Sequence, residues 1–183
     1  MKEVFVHLDR CQGCRSCQLA CATAKSKSKT LFGAVTETPR PTYRIYIERG
    51  DGLNVPLTCR HCDPAPCLEA CIAGCLYRDE QRLVRRRKDN CVACWTCIMV
   101  CPYGVISQGK EPKIAVKCDR CHKLEIPACV QACPTKALVF AEPGSFAAEI
   151  RKSAAGIMAR SRDLGEKVKG EKGKREKGNR LLP

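Results

Sequence analysis

Sixteen of the seventeen cysteines in this 183-residue chain fall into four groups of four. Cys11, Cys14, Cys17 and Cys21 read C-x2-C-x2-C-x3-C, and Cys59, Cys62, Cys67 and Cys71 read C-x2-C-x4-C-x3-C. Cys91, Cys94, Cys97 and Cys101 repeat the first spacing and are followed by Pro102. Cys118, Cys121, Cys129 and Cys133 read C-x2-C-x7-C-x3-C, followed by Pro134. Tight and expanded groups therefore alternate as an internal repeat. A [4Fe–4S] cube needs one thiolate per iron, directed at four corners of a compact core. In C-x2-C-x2-C the backbone wraps three corners, and the fourth cysteine, three residues on, ligates the neighbouring cluster. Two groups must then exchange their last cysteines, so clusters come in pairs spaced for electron tunnelling.

Two other uses of cysteine compete. Structural zinc takes four thiolates from two well-separated C-x2-C pairs, and a third cysteine only two residues further on fits that geometry poorly. The prolines after Cys101 and Cys133 match the bacterial ferredoxin run instead. A secreted disulfide scaffold would carry a signal peptide, but Met1–Arg10 has no apolar stretch and reads as the first strand of a domain. An odd cysteine count is also awkward for a closed disulfide set. With only 5% aromatic residues, a domain this size is short of apolar mass and needs metal staples. Because no segment approaches the roughly 20 apolar residues that span a bilayer, a reduced, cytoplasmic protein is expected.

The formal charge of +14 counts every thiol as neutral. Sixteen ligating thiolates bring −16 and four oxidised cores bring +8, leaving about +6. Residues 151–183 hold 11 Lys and Arg against 4 Asp and Glu, so the basic character of the loaded protein belongs to the tail. A metal-stapled nucleic-acid-binding module is the alternative that this tail raises. The tail has no aromatic residue to stack on bases, and docking on an acidic partner suits it better.

The groups need elements to aim them. A β-like run enters each: Val4–Leu8, Val55–Thr58, Leu83–Arg87 and Ile114–Lys117. A helical turn carries the end of each, with the last two cysteines at i and i+4 on one side. In the insert between groups one and two, Ala24–Thr30 reads as an exposed basic loop. Thr42–Glu48 alternates as a strand with Tyr43, Ile45 and Ile47 on one face, and Gly50-Asp51-Gly52 turns the chain back. Val139–Ala141 is placed to close a small sheet. Ser145 is read as the N-cap of a helix to about Arg162, with an apolar stripe of Phe146, Ile150, Ala154, Ile157 and Met158. The fold class is α+β: two bacterial-type two-cluster ferredoxin modules of small hairpins and short helices, plus a C-terminal helix and tail.

Spacing leaves two pairings open. Groups two and three lie close enough for Pro56–Ser107 to form a complete two-cluster ferredoxin, inserted into a second one built from groups one and four. Pairing one with two and three with four is the alternative. The interleaved choice divides the chain into an outer module (1–21 and 108–142), an insert with a strand (22–54), an inner module (55–107), a helix (143–164) and a basic, disordered tail (165–183).

The runs HLDRCQGCRSCQLAC, PLTCRHCDPAPCLEAC, DNCVACWTCIMVCPYGVI and VKCDRCHKLEIPACVQACPTKAL resemble the four-cluster iron–sulfur subunits typified by those of dimethyl sulfoxide reductase and formate dehydrogenase. Within that group the short inserts, RHCDPAP and CVACW look most like the CooF-type partners of carbon monoxide dehydrogenase and of hydrogenases. The resemblance covers residues 2–142 and implies the interleaved pairing. Cluster 1 then takes Cys11, Cys14, Cys17 and Cys133, and cluster 2 takes Cys21, Cys118, Cys121 and Cys129. Cluster 3 takes Cys59, Cys62, Cys67 and Cys101, and cluster 4 takes Cys71, Cys91, Cys94 and Cys97. The implied donor is a carbon monoxide dehydrogenase and the implied acceptor a hydrogenase or flavin NAD(P)H oxidoreductase, with a formate dehydrogenase or other molybdopterin oxidoreductase as the alternative partner. The family's Pro-Thr-Gly-Ala after the second group is replaced by Ile72-Ala73-Gly74-Cys75.

The remaining chemistry-bearing residues have modest expectations. Cys75 reads as a small buried hydrophobe rather than a ligand. Trp95 shields a cluster or packs on a partner. His61 and His122 sit beside ligand cysteines, placed to donate hydrogen bonds to cluster sulfur, and His7 is a strand residue. No residue set resembles a nucleophile, general base or open metal position, so electron transfer without substrate chemistry is expected.

Overall fold

The computed structural model describes residues 1–178 except 111, with side chains described as far as Ser161. It is α+β, built from four two-stranded sheets and short helices. β1 (Glu3–Val6) leads through a 3-10 turn over Leu8–Arg10 into the first group and α1 (Ser16–Lys25). α2 (Leu31–Thr36) follows, then the hairpin of β2 (Ile45–Gly50) and β3 (Leu53–Thr58). α3 (Pro66–Glu69) ends group two, and the hairpin of β4 (Leu76–Arg78) and β5 (Val84–Arg86) leads to group three and α4 (Thr96–Met99). β6 (Ser107–Gln108) and β7 (Ala115–Val116) make the third hairpin. α5 (Ala128–Gln131) ends group four and β8 (Leu138–Ala141) pairs back with β1. The two ends of the cluster-bearing chain therefore meet in one sheet.

The strand read over Thr42–Glu48 begins only at Ile45, and Tyr43, expected on its buried face, lies before it and is exposed. Ile45 and Ile47 are buried, Ile45 at 1% exposure, while Glu48 to Gly50 face water. The turn after it uses left-handed backbone at Asp51 and Gly52. The segment 24–30 differs from the exposed loop expected. Ala24 and Lys25 finish α1, and Ser26 is buried, its hydroxyl donating to Thr23 O at 2.6 Å and accepting from Lys29 N at 2.9 Å. Thr30 then caps α2, its side chain accepting from Gly33 N at 3.2 Å. Residues 27–30 keep the exposed loop expected, so the departure is confined to residues 24–26.

Two hydrophobic cores lie in the unit Val4–Phe140. One packs Ile45, Ile47, Ala137 and Leu138 with Cys17, Cys21 and Cys133, and draws in Cys11 and Cys129. The other packs Ala65, Leu76, Val84, Ile106 and Ala115 with Cys97, and draws in Cys67, Cys71, Cys91 and Cys101. Every cysteine of the first core belongs to groups one and four, and every cysteine of the second to groups two and three. At about 1.5–3 kcal/mol per buried aliphatic side chain, each core is a small one.

The second unit, Met1–Glu3 with Ala141–Pro183, is carried by α6 (Pro143–Gly178). The helix starts two residues before the N-cap expected at Ser145, because Pro143 suits the first helical position, where its missing N–H costs nothing. The backbone helix runs past 164 through Glu, Lys and Arg, all good helix formers. The side chains of the basic segment expected to be disordered, 165–183, lie outside the described residues. The apolar stripe is exposed at Ile150, Ile157 and Met158. No helix among the described residues is long and apolar enough to cross a membrane.

Candidate metal centres

Each cysteine group opens with the same backbone device. The residue just before the second cysteine has positive φ in all four: Gly13 at 70°, His61 at 49°, Ala93 at 55° and Arg120 at 55°. L residues pay for this conformation, so a fourfold recurrence marks a loop shape imposed by what the loop encloses. Only the first group uses glycine, and a Cβ on Gly13 would also meet the Asn54 side chain at 2.8 Å. The tight groups add a second left-handed residue, Arg15 at 60° and Trp95 at 63°, before their helices begin. The curl turns backbone amides toward sulfur: His61 N donates to Cys59 Sγ at 3.4 Å and Arg120 N to Cys118 Sγ at 3.3 Å. Arg44 N reaches Cys21 Sγ at 3.3 Å, and Ala115 N reaches Cys91 Sγ at 3.5 Å.

The thiols ring hollows. Cys21, Cys118, Cys121 and Cys129 line one, which Cys59 also borders. Cys59, Cys62, Cys67 and Cys101 line a second, and Cys71, Cys91, Cys94 and Cys97 a third. In the remaining set, Cys17 and Cys133 share the first core with Cys11 beside them, and the Cys17 thiol feels the charge of Cys14 and Cys133. The last cysteine of each group thus lies with the first three of another group, one with four and two with three.

Burial dominates the electrostatics. It pushes the Cys17 and Cys67 thiols up to about 11 and Cys118 to about 12, and it raises Cys129 further. Neighbouring thiolates add to the shift: Cys59, Cys101 and Cys97 around Cys67, Cys59 and Cys21 around Cys118, and Cys118, Cys21, Cys121 and Cys17 around Cys129. Thiols crowded and desolvated in this way ionise only when a cation takes their protons' place. Among the described residues no three Cys, His, Asp or Glu side chains converge as a single metal ion would require. The thiols are instead spread around openings.

His61 supplies a further test of fit. It is 6% exposed, and its Nδ1 accepts from Val84 N at 3.1 Å. The ring proton therefore sits on Nε2, which is buried with no hydrogen-bond partner among the described residues. Burial, aided by Lys117 and Arg120, lowers the ring to about 3 and keeps it neutral. His61 borders both the Cys59 and the Cys118 hollows, so a buried N–H donor stands where cluster sulfur would accept it. His122 does not share this role. It is more exposed, lies 3.8 Å from Asp119 and lines an open cleft. His7 follows β1 and its backbone N donates to Ala137 O at 2.8 Å.

Cys75 is 3% exposed and borders the hollow of Cys71, Cys91, Cys94 and Cys97. Its Sγ donates to Arg87 O at 3.1 Å, and burial, reinforced by Cys91, raises it to about 12. A thiol engaged with a carbonyl matches the structural role expected of it. Trp95 is half-buried on the same hollow.

A family model described as a 4Fe-4S dicluster domain matches residues 51–143. The chain belongs to this family. It is a ferredoxin-like iron–sulfur electron-transfer protein, and when bound, each [4Fe–4S] cluster carries one electron at a time. Among similar proteins, an "Iron-sulfur protein" of Rhodospirillum rubrum is 33% identical over 175 residues, covering 86% of this chain and 91% of that one. "Electron transport protein HydN" of Escherichia coli K12 is 32% identical over 152 residues, covering 74% of this chain and 85% of that one. A solved structure, the BamBC active site complex of benzoyl coenzyme A reductase, aligns over 92% of this dicluster chain and 97% of its own, with a TM-score of 0.38 and 17% identity.

Lysine is the residue type that sequence reading missed around these cysteines. Lys117, next to Cys118, buries its Nζ 3.0 Å from Cys59 Sγ. Lys25 donates both ways to Asp119, between Cys118 and Cys121, at 2.7 and 2.8 Å. Arg44 stands 3.4 Å from the same carboxyl. Although burial works against ionisation, these cations hold Asp119 down at about 2. Eight Lys and Arg side chains, with Asp119 as the one acid, line an open cleft of about 1260 Å³ that reaches Cys118 and Cys121.

Proposed function

We propose that this protein is a four-cluster wire. In this reading Cys11, Cys14, Cys17 and Cys133 hold cluster 1, and Cys21, Cys118, Cys121 and Cys129 hold cluster 2. Cys59, Cys62, Cys67 and Cys101 hold cluster 3, and Cys71, Cys91, Cys94 and Cys97 hold cluster 4. The observation that carries it is the segregation of cysteines into two cores, which mixes group one only with four and group two only with three. Sequential pairing would place Cys21 in a core with group two, whereas its core holds Cys129 and Cys133.

The reading also supplies an order. Thiol pairs that feel each other across sets are Cys17 with Cys129, Cys118 with Cys59, and Cys67 with Cys97. These contacts run 1–2–3–4, so electrons enter at one end of the row and leave at the other. The chain's own residues hold the clusters, exclude water and donate N–H groups to sulfur, and they perform no substrate chemistry. In keeping with the resemblance in residues 2–142, the protein relays low-potential electrons from carbon monoxide dehydrogenase to a hydrogenase or flavin NAD(P)H oxidoreductase in the cytoplasm.

Anaerobic metal analysis tests the cofactor count. About sixteen irons and sixteen acid-labile sulfides per chain support the wire; about eight of each, or stoichiometric zinc in a colourless protein, defeats it. Bleaching of the brown absorbance under carbon monoxide, with catalytic carbon monoxide dehydrogenase, tests the donor. Bleaching by formate and a formate dehydrogenase alone points to the molybdopterin partner instead.

A further inference from the structure

We propose that Lys117 is a positioning and potential-setting residue: its buried ammonium donates to the Cys59 thiolate at the boundary between two clusters and raises the potential of the cluster that Cys59 ligates. The inference rests on the ligand sets proposed above and goes beyond them, since it concerns a residue that ligates nothing.

Lys117 is 5% exposed. Its Nζ lies 3.0 Å from Cys59 Sγ and 2.9 Å from Val84 O. No carboxylate pairs with it among the described residues, although Asp119 stands two residues on and is fully engaged by Lys25 and Arg44. Burying an unpaired ammonium costs several kcal/mol, so the fold retains this one only where negative charge compensates it. The thiolates around a cluster supply that charge: Cys59 by direct contact, and Cys67, which feels the Lys117 charge. Lys117 also borders the Cys59 hollow.

The placement is fixed from the other side by Val84, which is fully buried. Its carbonyl accepts from Lys117 and its N–H donates to His61 Nδ1. One peptide strand thus orients two buried N–H donors toward the same group of thiols. A hydrogen bond and a positive charge beside a ligating sulfur stabilise the more negative, reduced form, and so raise the potential. No bond forms or breaks; the residue shifts the balance for a single electron.

The test is an EPR-monitored redox titration of wild type, K117M and K117R, each with its iron counted. K117M removes charge and donor at similar volume, whereas K117R keeps both. The expected result is a full iron complement in K117M and one midpoint lowered. At fixed potential the reduced-to-oxidised ratio of that cluster falls about tenfold, equivalent to about 59 mV for a one-electron couple, and K117R stays near wild type. Four unmoved midpoints in a fully loaded K117M overturn the role of Lys117 and leave the ligand assignment standing. A wild type far short of sixteen irons overturns the assignment itself. If K117M sheds iron, pulsed EPR on reduced wild type grown with 15N-lysine decides: a nitrogen coupling from lysine at a cluster supports the contact, and its absence overturns it.

Discussion

Lys25 and Asp119, 94 residues apart, meet through two hydrogen bonds of 2.7 and 2.8 Å. The pair ties the end of α1, just after Cys21, to the loop that carries Cys118 and Cys121. Arg44, whose backbone N donates to Cys21 Sγ, leans on the same carboxyl at 3.4 Å. Two segments that present thiols to one centre in the proposed wire are therefore clamped by one acid. Both partners are mostly buried, so the clamp is worth more than a surface ion pair. Asp119→Ala leaves two cations without their acid and weakens the hold on cluster 2 by about 1.4 kcal/mol or more. Iron release to a chelator is expected to accelerate about tenfold for roughly a quarter of the iron. Uniform or unchanged release counts against the clamp.

Cys75→Ala is expected to keep the full iron content. The thiol donates to the Arg87 carbonyl, and trimming one buried sulfur costs about 1 kcal/mol. Iron analysis and a thermal half-life of the brown colour check this. Loss of about four irons would make Cys75 a ligand.

His61→Ala strands the Val84 N–H that its ring now satisfies, which costs about 1–3 kcal/mol. The cluster-bleaching half-life at fixed temperature is expected to shorten several-fold, since irreversible loss is governed by a rate. His61→Phe, which fills the space without restoring the acceptor, is expected to behave like the alanine variant. A wild-type half-life in both variants contradicts this hydrogen bond's role.

The basic cleft gives a kinetic prediction. Lys29, Lys88 and Lys123 line it without touching a thiol. The triple variant K29E/K88E/K123E is expected to slow oxidation of the reduced protein by anionic ferricyanide several-fold at low salt. Its effect on oxidation by cationic hexaamminecobalt(III) should be absent or reversed, and the difference should shrink as salt screens the charges. Equal effects on both oxidants would place electron exit elsewhere.

The cysteine-bearing loops and turns were unusually legible in the sequence because their determinants are local. Spacing within Cys91–Cys101 dictates a loop and a helical turn whatever surrounds them, and alternation over Ile45 and Ile47 needs only a strand with one buried face. The insert was less legible. Thr30 is an ordinary helix cap, but six residues of α2 fall below the length at which periodicity speaks. β4 was missed for the same reason: Leu76–Arg78 is three residues, and only pairing with Val84–Arg86 makes it a strand. Contacts between distant segments left no trace at all. Nothing near Cys59 announces Lys117, 58 residues on, and nothing near Lys25 announces Asp119. His61 and His122 look equivalent beside their cysteines, yet only His61 is enclosed, because β5 lies over its ring.

Diffraction at the iron absorption edge from crystals of the anaerobically prepared protein tests the central claim most directly. The wire account predicts four separate four-iron centres in a row. Each is held by three cysteines of one group and the last cysteine of its partner, with Cys133 on the Cys11 centre and Cys71 on the Cys91 centre. Four irons bound by all four cysteines of a single group, pairing of group one with group two, or single-atom peaks would contradict it.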